Sequence, residues 1–294
     1  MLSIEASLLA AHMGLSCLSI ILSILLVYVV FRYTPASFAT FAVMLKCHAL
    51  IDLYVAVGSS SSMQRVIPVN WSIIIISYGP CVYVGSTACY VSCTIFFGGQ
   101  SFFIHSIVAS FVFRLLVIRG QTPTARQALA LFCAISLPDP LVYSASRCIY
   151  YRRVYLKESH SAGGNILIFG FVDVRSFSAC IVLVILLLFG WPLFATIIYL
   201  RSKILSKLNQ NSSSISEKSK NMQRKFVTML TFQAAVPLVQ LYAAVIFSLE
   251  FMDIIRNPAL ELSEHLVSGT KSFLSPLIVF RSIDQYRRKA YLLI

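Results

Sequence analysis

A glutamine, a serine and a histidine interrupt the apolar stretch "GGQSFFIHS", residues 98–106. Ser101 and His105 stand four apart, so on a helix they share one face, and Gln100 sits beside them. A Ser–His pair becomes a nucleophile and its base only when a third group orients the ring. No Ser/His/Asp set, phosphate loop, HExxH or GxGxxG occurs in a usable context. The eight cysteines include no CxxC pair and no Cys/His ligand spacing, so no metal site is expected. Enzymatic activity has no support, and no cofactor is expected. Groups of this kind inside greasy sequence suit recognition by hydrogen bonding.

Two charges in similar surroundings narrow the chemistry further. Asp52 falls in the middle of an apolar run. A charge at the centre of a membrane-spanning helix costs about 2.5 to 3.5 kcal/mol on insertion scales. Asp52 is therefore expected to face the interior of a bundle, paired with a polar group, a cation or water, or protonated. A structural or switching role and a place on a transport path are both open to it. Arg114 ends the apolar run "SFVFRLLVIRG", residues 110–120. It is either an end-of-helix arginine reaching the interface or a gate and docking residue at the inner mouth of a bundle. Gln100 precedes it by fourteen residues, about 21 Å along a helix, a depth that suits the floor of an outward-facing pocket.

The elements that position these residues follow from composition. Of 294 residues, 58% are apolar and only 12% charged, and the mean hydropathy is +0.81. A soluble domain of this size carries far more charge. Apolar runs near twenty residues recur along the chain without period-2 alternation, which indicates spanning helices rather than a barrel. The fold class is an all-α membrane protein. A bundle of seven transmembrane helices forms one domain over residues 1–294, with spans near 8–31, 38–57, 85–118, 127–143, 176–200, 226–251 and 262–280. Pro237 removes a backbone hydrogen bond from the sixth span and permits a kink, and Pro276 lies in the seventh. "WSIIIISYG", residues 71–79, is too short to span and is expected at the interface or as a small β-hairpin over the outer mouth.

Orientation comes from the basic residues. Sixteen of the 24 Lys and Arg fall after spans one, three and five, at the start of span two and at the C-terminus; eight fall on the other side. That bias puts the N-terminus outside and the C-terminus in the cytoplasm. The formal charge of +13 reports topology and gives no reason to invoke nucleic acid. "NWS" at Asn70 then lies outside, where it can carry a glycan. The tail "RSIDQYRRKAYLLI" mixes basic and apolar residues as a short helix lying on the inner leaflet does, with membrane lipid as its partner. Cys89 and Cys148 both fall outside, and a bridge between them would staple the second outer loop over the bundle. Cys81 competes for the same partner, and spacing does not decide between them.

Several stretches together resemble the nematode Str superfamily of seven-helix chemoreceptors, and class d (delta) within it. "TMLTFQAAVPLVQLY" is similar to the sixth-helix pattern, with Gln233 four residues before Pro237. "MQRVIPVNWSIIIISYGPCVYVGSTACY" resembles the first outer loop, with Cys81 and Cys89. "SFVFR" resembles the third-helix ending, with Phe113 where tyrosine is common. "SPLIVFRSIDQYRR" resembles the seventh-helix proline and following Tyr-Arg, here Pro276, Tyr286 and Arg287, with Ser275 where asparagine is common. The resemblance implies a G-protein-coupled chemoreceptor in a sensory ciliary membrane, partnered by a heterotrimeric G protein and a small odorant or pheromone-like ligand. It implies an inner-mouth role for Arg114 and an extracellular bridge involving Cys81 and Cys89. The ligand is expected against Phe96, Gln100 and His105, with Gln233 and Tyr242 on span six. Asp52, Arg114, Pro237, Pro276, Tyr286 and Arg287 form the switch and G-protein side. The alternative is a transporter or ligand-gated channel, which needs intramembrane charges along one path or a repeated half. Asp52, Lys46 and Lys271 are such charges, but the chain has no internal repeat.

Overall fold

The computed structural model describes residues 2–34, 39–69, 72–121, 123–136, 157–161, 164–171, 190–210 and 217–292. The long apolar runs become helices α1 (Leu2–Tyr33) and α2 (Ala39–Ser62). A short helix, α3 (Cys81–Val84), leads into α4 (Ser86–Ile118), and α5 (Ala125–Ser136) follows. The fifth expected span is described only from Gly190, where α6 (Gly190–Gln210) begins. Helix α7 (Glu217–Ala235) passes through a 3₁₀ turn at Val236–Leu238 into α8 (Val239–Phe251). The last helices are α9 (Pro258–Ser282) and α10 (Asp284–Tyr291). Among the described residues, Ile4–Tyr33, Ala42–Ser62 and Ser86–Ile118 are long and apolar enough to cross a membrane.

Local chemistry sets several boundaries. Pro237 has no N–H to offer the Gln233 carbonyl, so the helix tightens into its 3₁₀ turn there. Asn257 caps α9: its side chain accepts from the Ala259 N–H at 3.0 Å, and Pro258 occupies the first turn, where a missing N–H costs nothing. Two glycines let α2 and α4 lie close together. A Cβ at Gly58 would meet Ile95 Cγ2 at 2.6 Å, and one at Gly99 would meet Val55 Cγ2 at 2.5 Å. Small residues at such a crossing do in a bilayer what bulky ones prevent.

One main core runs through the helices. It includes Leu26 and Val29 of α1, Met44 and Leu45 of α2, Phe103, Ile107 and Phe111 of α4, Ile204 of α6, and Met229 of α7. The outward sides of α1 (Ile21, Ile24, Phe31) stay exposed, as they do on a helix that meets lipid. The tail helix α10 tucks Tyr286 and Ala290, four apart, into this core and leaves Arg287 and Arg288 outward.

A four-stranded antiparallel sheet covers one end of the bundle, in the order β1–β2–β4–β3. Strands β1 (Gln64–Val69) and β2 (Ser72–Ser77) form a hairpin with Val66 opposite Ile75. Strands β3 (Lys157–Ser161) and β4 (Gly164–Phe171) form a second, and β4 pairs with β2, placing Ile75 opposite Phe169. Alternation explains the packing: Ile73 and Ile75 are buried with Cys81, Cys89 and Cys93, while Phe247 and Phe251 of α8 pack against that cluster.

Candidate functional site

A seam of polar side chains ties α2, α4, α7 and α9 together in the middle of the bundle. The Ser275 hydroxyl donates to Asp52 Oδ2 at 2.6 Å. Its oxygen is then the acceptor for Gln233 Nε2 at 3.3 Å, so one directed chain runs from α7 through α9 to α2. Lys271, one helical turn before Ser275, donates to Gln100 Oε1, and its ammonium lies 4.1 Å from the centre of the Phe103 ring. Gln100 Nε2 donates in turn to the Ser268 carbonyl at 3.4 Å. The Lys271 and Asp52 charges lie within electrostatic reach of each other.

His48 makes a second junction between α2 and α4. Its Nδ1 lies 3.0 Å from Ser106 Oγ and its Nε2 lies 3.0 Å from Ser110 Oγ. Ser106 already donates to the Phe103 carbonyl at 2.6 Å, so it accepts from Nδ1–H. That leaves Nε2 to accept from Ser110, which fixes a neutral ring tautomer.

At the end opposite the sheet, Arg114 is 3% exposed, and its guanidinium carbon lies 4.4 Å from the centre of the Phe226 ring of α7. Arg114 therefore neither reaches the interface nor lies open at the inner mouth. The apolar face of α7 closes against α4 here, and Phe226 covers the charge. Tyr286 of α10 closes the same end by sharing a hydrogen bond with Thr34 at 2.9 Å. Burial pushes the Tyr286 hydroxyl above its ordinary pKa, and the bond to Thr34 opposes it. Arg287 points away and pairs with Asp284 at 2.8 Å.

At the sheet end, Cys81 is bonded to Cys89. The Cys89–Cys148 bridge is therefore corrected. The short α3 turns the chain back so that Cys81 meets Cys89 on the first turn of α4, and Cys148 lies outside the described residues, as does Asn70. Arg65 of β1 pairs with Glu261 of α9 and lies 4.0 Å from Glu5 of α1. Burial alone would lower the Arg65 pKa, but the bond and charge of Glu261, with help from Tyr78, outweigh it and hold the guanidinium above its ordinary value. Glu250 and Glu264 sit beside this pair. His265 lies tilted between two rings, with centroids 4.5 Å from Phe96 and 4.7 Å from His12. His12 reaches Ser16 Oγ at 3.3 Å and the Ser59 carbonyl at 3.4 Å.

Phe96, Gln100 and Gln233 thus lie in the interior, as does Asp52. His105 is half-buried, with Nδ1 3.1 Å from the Ser101 carbonyl of its own helix. Tyr242 is 41% exposed and shares a hydrogen bond with Ser263 across the α8–α9 seam at 3.0 Å. Pro237 forms the 3₁₀ break, and Pro276 follows Ser275 within α9. Sequence reasoning missed His12, His48, His265 and the partnership of Lys271 with Gln100. Pairs four apart were the available signal: His12 with Ser16, Ser106 with Ser110, Lys271 with Ser275.

Known proteins resemble this arrangement. The family described as "Serpentine type 7TM GPCR chemoreceptor Srd" matches residues 9–291. The chain is 29% identical over 280 residues to Serpentine receptor class delta-1 of Caenorhabditis elegans, covering 91% of this chain and 76% of that protein. It is 27% identical over 290 residues to Serpentine receptor class delta-2 of the same organism, covering 90% and 76%. Its backbone is similar to the crystal structure of squid rhodopsin, with a TM-score of 0.71 at 12% identity over 97% of this chain and 84% of that one. At that identity the likeness speaks for the fold alone.

Proposed function

The chain belongs to the Srd family of serpentine seven-transmembrane chemoreceptors, and from that premise we propose that it senses a small odorant or pheromone-like molecule arriving at the sheet end. Membership makes it a multi-pass membrane receptor of a G-protein-coupled family and not an enzyme. In the proposal the N-terminus and the sheet face outside, the Arg114 end faces the cytosol, and the receptor works in a sensory ciliary membrane. The ligand lies along Phe96 and Gln100, with Gln233 below, Tyr242 at the rim and His105 on the flank of α4.

The observation that carries this reading is the Phe226 ring lying over buried Arg114, on a helix that breaks at Pro237. A lid on one side of a break is a two-state element. Gln233 ties the lid helix to Ser275 and so to Asp52. A ligand that displaces α8 or α9 strains this tie, frees α7 to swing, and uncovers Arg114 for a helix of a heterotrimeric G protein. The ligand drives this only by preferring the open state. Converting 1:99 into 99:1 needs about 5.5 kcal/mol of difference in its binding to the two states.

The test is expression with a promiscuous G protein and an odorant screen. Arg114→Ala is expected to abolish the evoked response while the protein still reaches the surface. Phe226→Ala is expected to raise signalling without ligand. A response untouched by Arg114→Ala removes that residue from the mechanism. Ligand-evoked current without any G protein favours a channel.

A further inference from the structure

Three glutamates converge where α8, α9 and β1 meet: Glu250, Glu261 and Glu264, each within electrostatic reach of the others. The cation shown beside them is Arg65, and it is bonded to Glu261. Arg65 is further shared with Glu5. Two acidic groups are therefore left over. Glu250 is only 3% exposed and Glu264 only 7%. Among the described residues, neither oxygen of Glu250 and not Oε1 of Glu264 has a hydrogen-bond partner.

The next residue along α9 faces other groups but also carries an open polar atom. His265, the neighbour of Glu264, is 7% exposed and its Nε2 is also without a partner, although its ring is held between Phe96 and His12. Polar atoms this deeply buried are nearly always satisfied, and a bare carboxylate is the most costly to leave alone. Such a carboxyl is satisfied by a proton, a cation or a donor of several N–H bonds. A shared metal ion is not favoured, because no three His, Cys, Asp or Glu of the described residues are placed to hold one. Phe96, against His265 one residue further along α9, offers a neighbouring aromatic surface.

We propose that this cluster is the seat of a cationic ligand, an organic amine whose ammonium bridges Glu250 and Glu264 while its apolar body lies toward Phe96. A primary ammonium has three donors, enough for both carboxylates and one further acceptor. Arg65 stays bonded to Glu261. The assignment rests on the reading of the chain as a receptor that takes its ligand at the sheet end, and it adds the chemical class.

The experiment uses the full chain in lipid nanodiscs and reads its thermal unfolding at neutral pH. The probes are methylamine, butylamine, cyclohexylamine and 2-phenylethylamine, each beside the alcohol of the same skeleton. At least one amine is expected to raise Tm by roughly 2–4 °C or more while its alcohol does not. Glu250→Gln and Glu264→Gln, which keep shape and remove charge, are each expected to weaken that amine at least about tenfold, the loss of one charge-assisted bond. The comparison of amine with alcohol on the unaltered chain stands even if a variant folds poorly. Equal shifts from amine and alcohol, no shift from any amine, or full retention in both glutamine variants would overturn the proposal; so would acid alone stabilising the chain with no amine effect, which makes the cluster a proton store. No G protein enters this readout. Amines that bind without evoking a signal uphold the site and remove the coupling. Signals evoked only by uncharged odorants, with no amine stabilisation, overturn the site and leave the receptor reading intact.

Discussion

The polar seam in mid-bundle and the acidic cluster under the sheet are built from similar residues, yet they are finished differently. In the seam each side chain has at least one partner, although Asp52 Oδ1 and Gln233 Oε1 are without one among the described residues. Lys271 has Gln100 and the Phe103 face, Asp52 has Ser275, and Ser275 has Gln233. Under the sheet, Glu261 has Arg65, but Glu250 and the Oε1 of Glu264 have no partner among the described residues. Internal pairing specifies how helices sit against one another, because breaking any link strands another buried group. Missing pairing stores a demand that something from outside can meet.

That contrast can be broken most forcefully at Lys271. Replacing it with Met leaves the Gln100 carbonyl without its donor and takes away the cation within reach of Asp52, a loss that for a buried charge pair reaches about 3–5 kcal/mol. The expected result is a large loss of folded, surface-displayed receptor. The double variant Asp52→Leu with Lys271→Met is expected to recover part of it, since neither charge is then left alone. A single variant as stable as the parent would show that the seam holds nothing together.

Ser275→Ala tests the directed chain and is expected to cost about 1–3 kcal/mol, because Asp52 Oδ2 and Gln233 Nε2 both lose their partner. Ser275→Asn, which keeps a donor and an acceptor, is expected to be milder in the same melt.

At the sheet end the sign reverses. Glu264→Gln keeps the shape of a buried carboxyl whose Oε1 has no partner, and the amide cannot ionise, so without ligand it is expected to hold stability level or raise it by up to about 1 kcal/mol. A fall in Tm of the same size would mean that Glu264 is a structural pair member after all, and the contrast would vanish.

The smallest effect lies outside both regions. Asp284 bonds to Lys225 at 2.8 Å on the exposed tail helix, and that bond and charge, with Arg287 and Arg288 adding, pull its carboxyl below its ordinary value. Its contribution is therefore present above the unfolded pKa of roughly 4 and is lost as pH falls through the folded value. Screening by solvent keeps it slight. Asp284→Asn is expected to leave the Tm at neutral pH unchanged within error.

The seam and the cluster were unequally legible in the sequence. Asp52 announced its burial, because a carboxylate amid apolar residues has nowhere else to go. Its partner Ser275 did not, because 223 residues separate the two and nothing local marks a bond between helices. Helix α4 could be read from its apolar length alone. The hairpin of β1 and β2 was half-readable, because "SIIIIS" is apolar but too short to span. The second hairpin was not, because "KESHS" looks like any charged loop until β4 pairs with β2. Arg114 could be located along its helix but not in depth, since the ring that covers it comes from α7. The cysteine pairing was half-readable: spacing set Cys81 and Cys89 in competition for Cys148, the resemblance pointed to Cys81 and Cys89, and the turn at α3 brings these two together. Glu264 stands near the start of the seventh expected span, and nothing local marks the approach of Glu250 from another helix.

All of this assumes a direction: the signal enters under the sheet and leaves past Arg114. The most direct test is an epitope tag fused after Ile294, read by antibody on living cells before and after permeabilisation. The account predicts staining only after permeabilisation. Staining of intact cells would put Arg114 on the outside and contradict it.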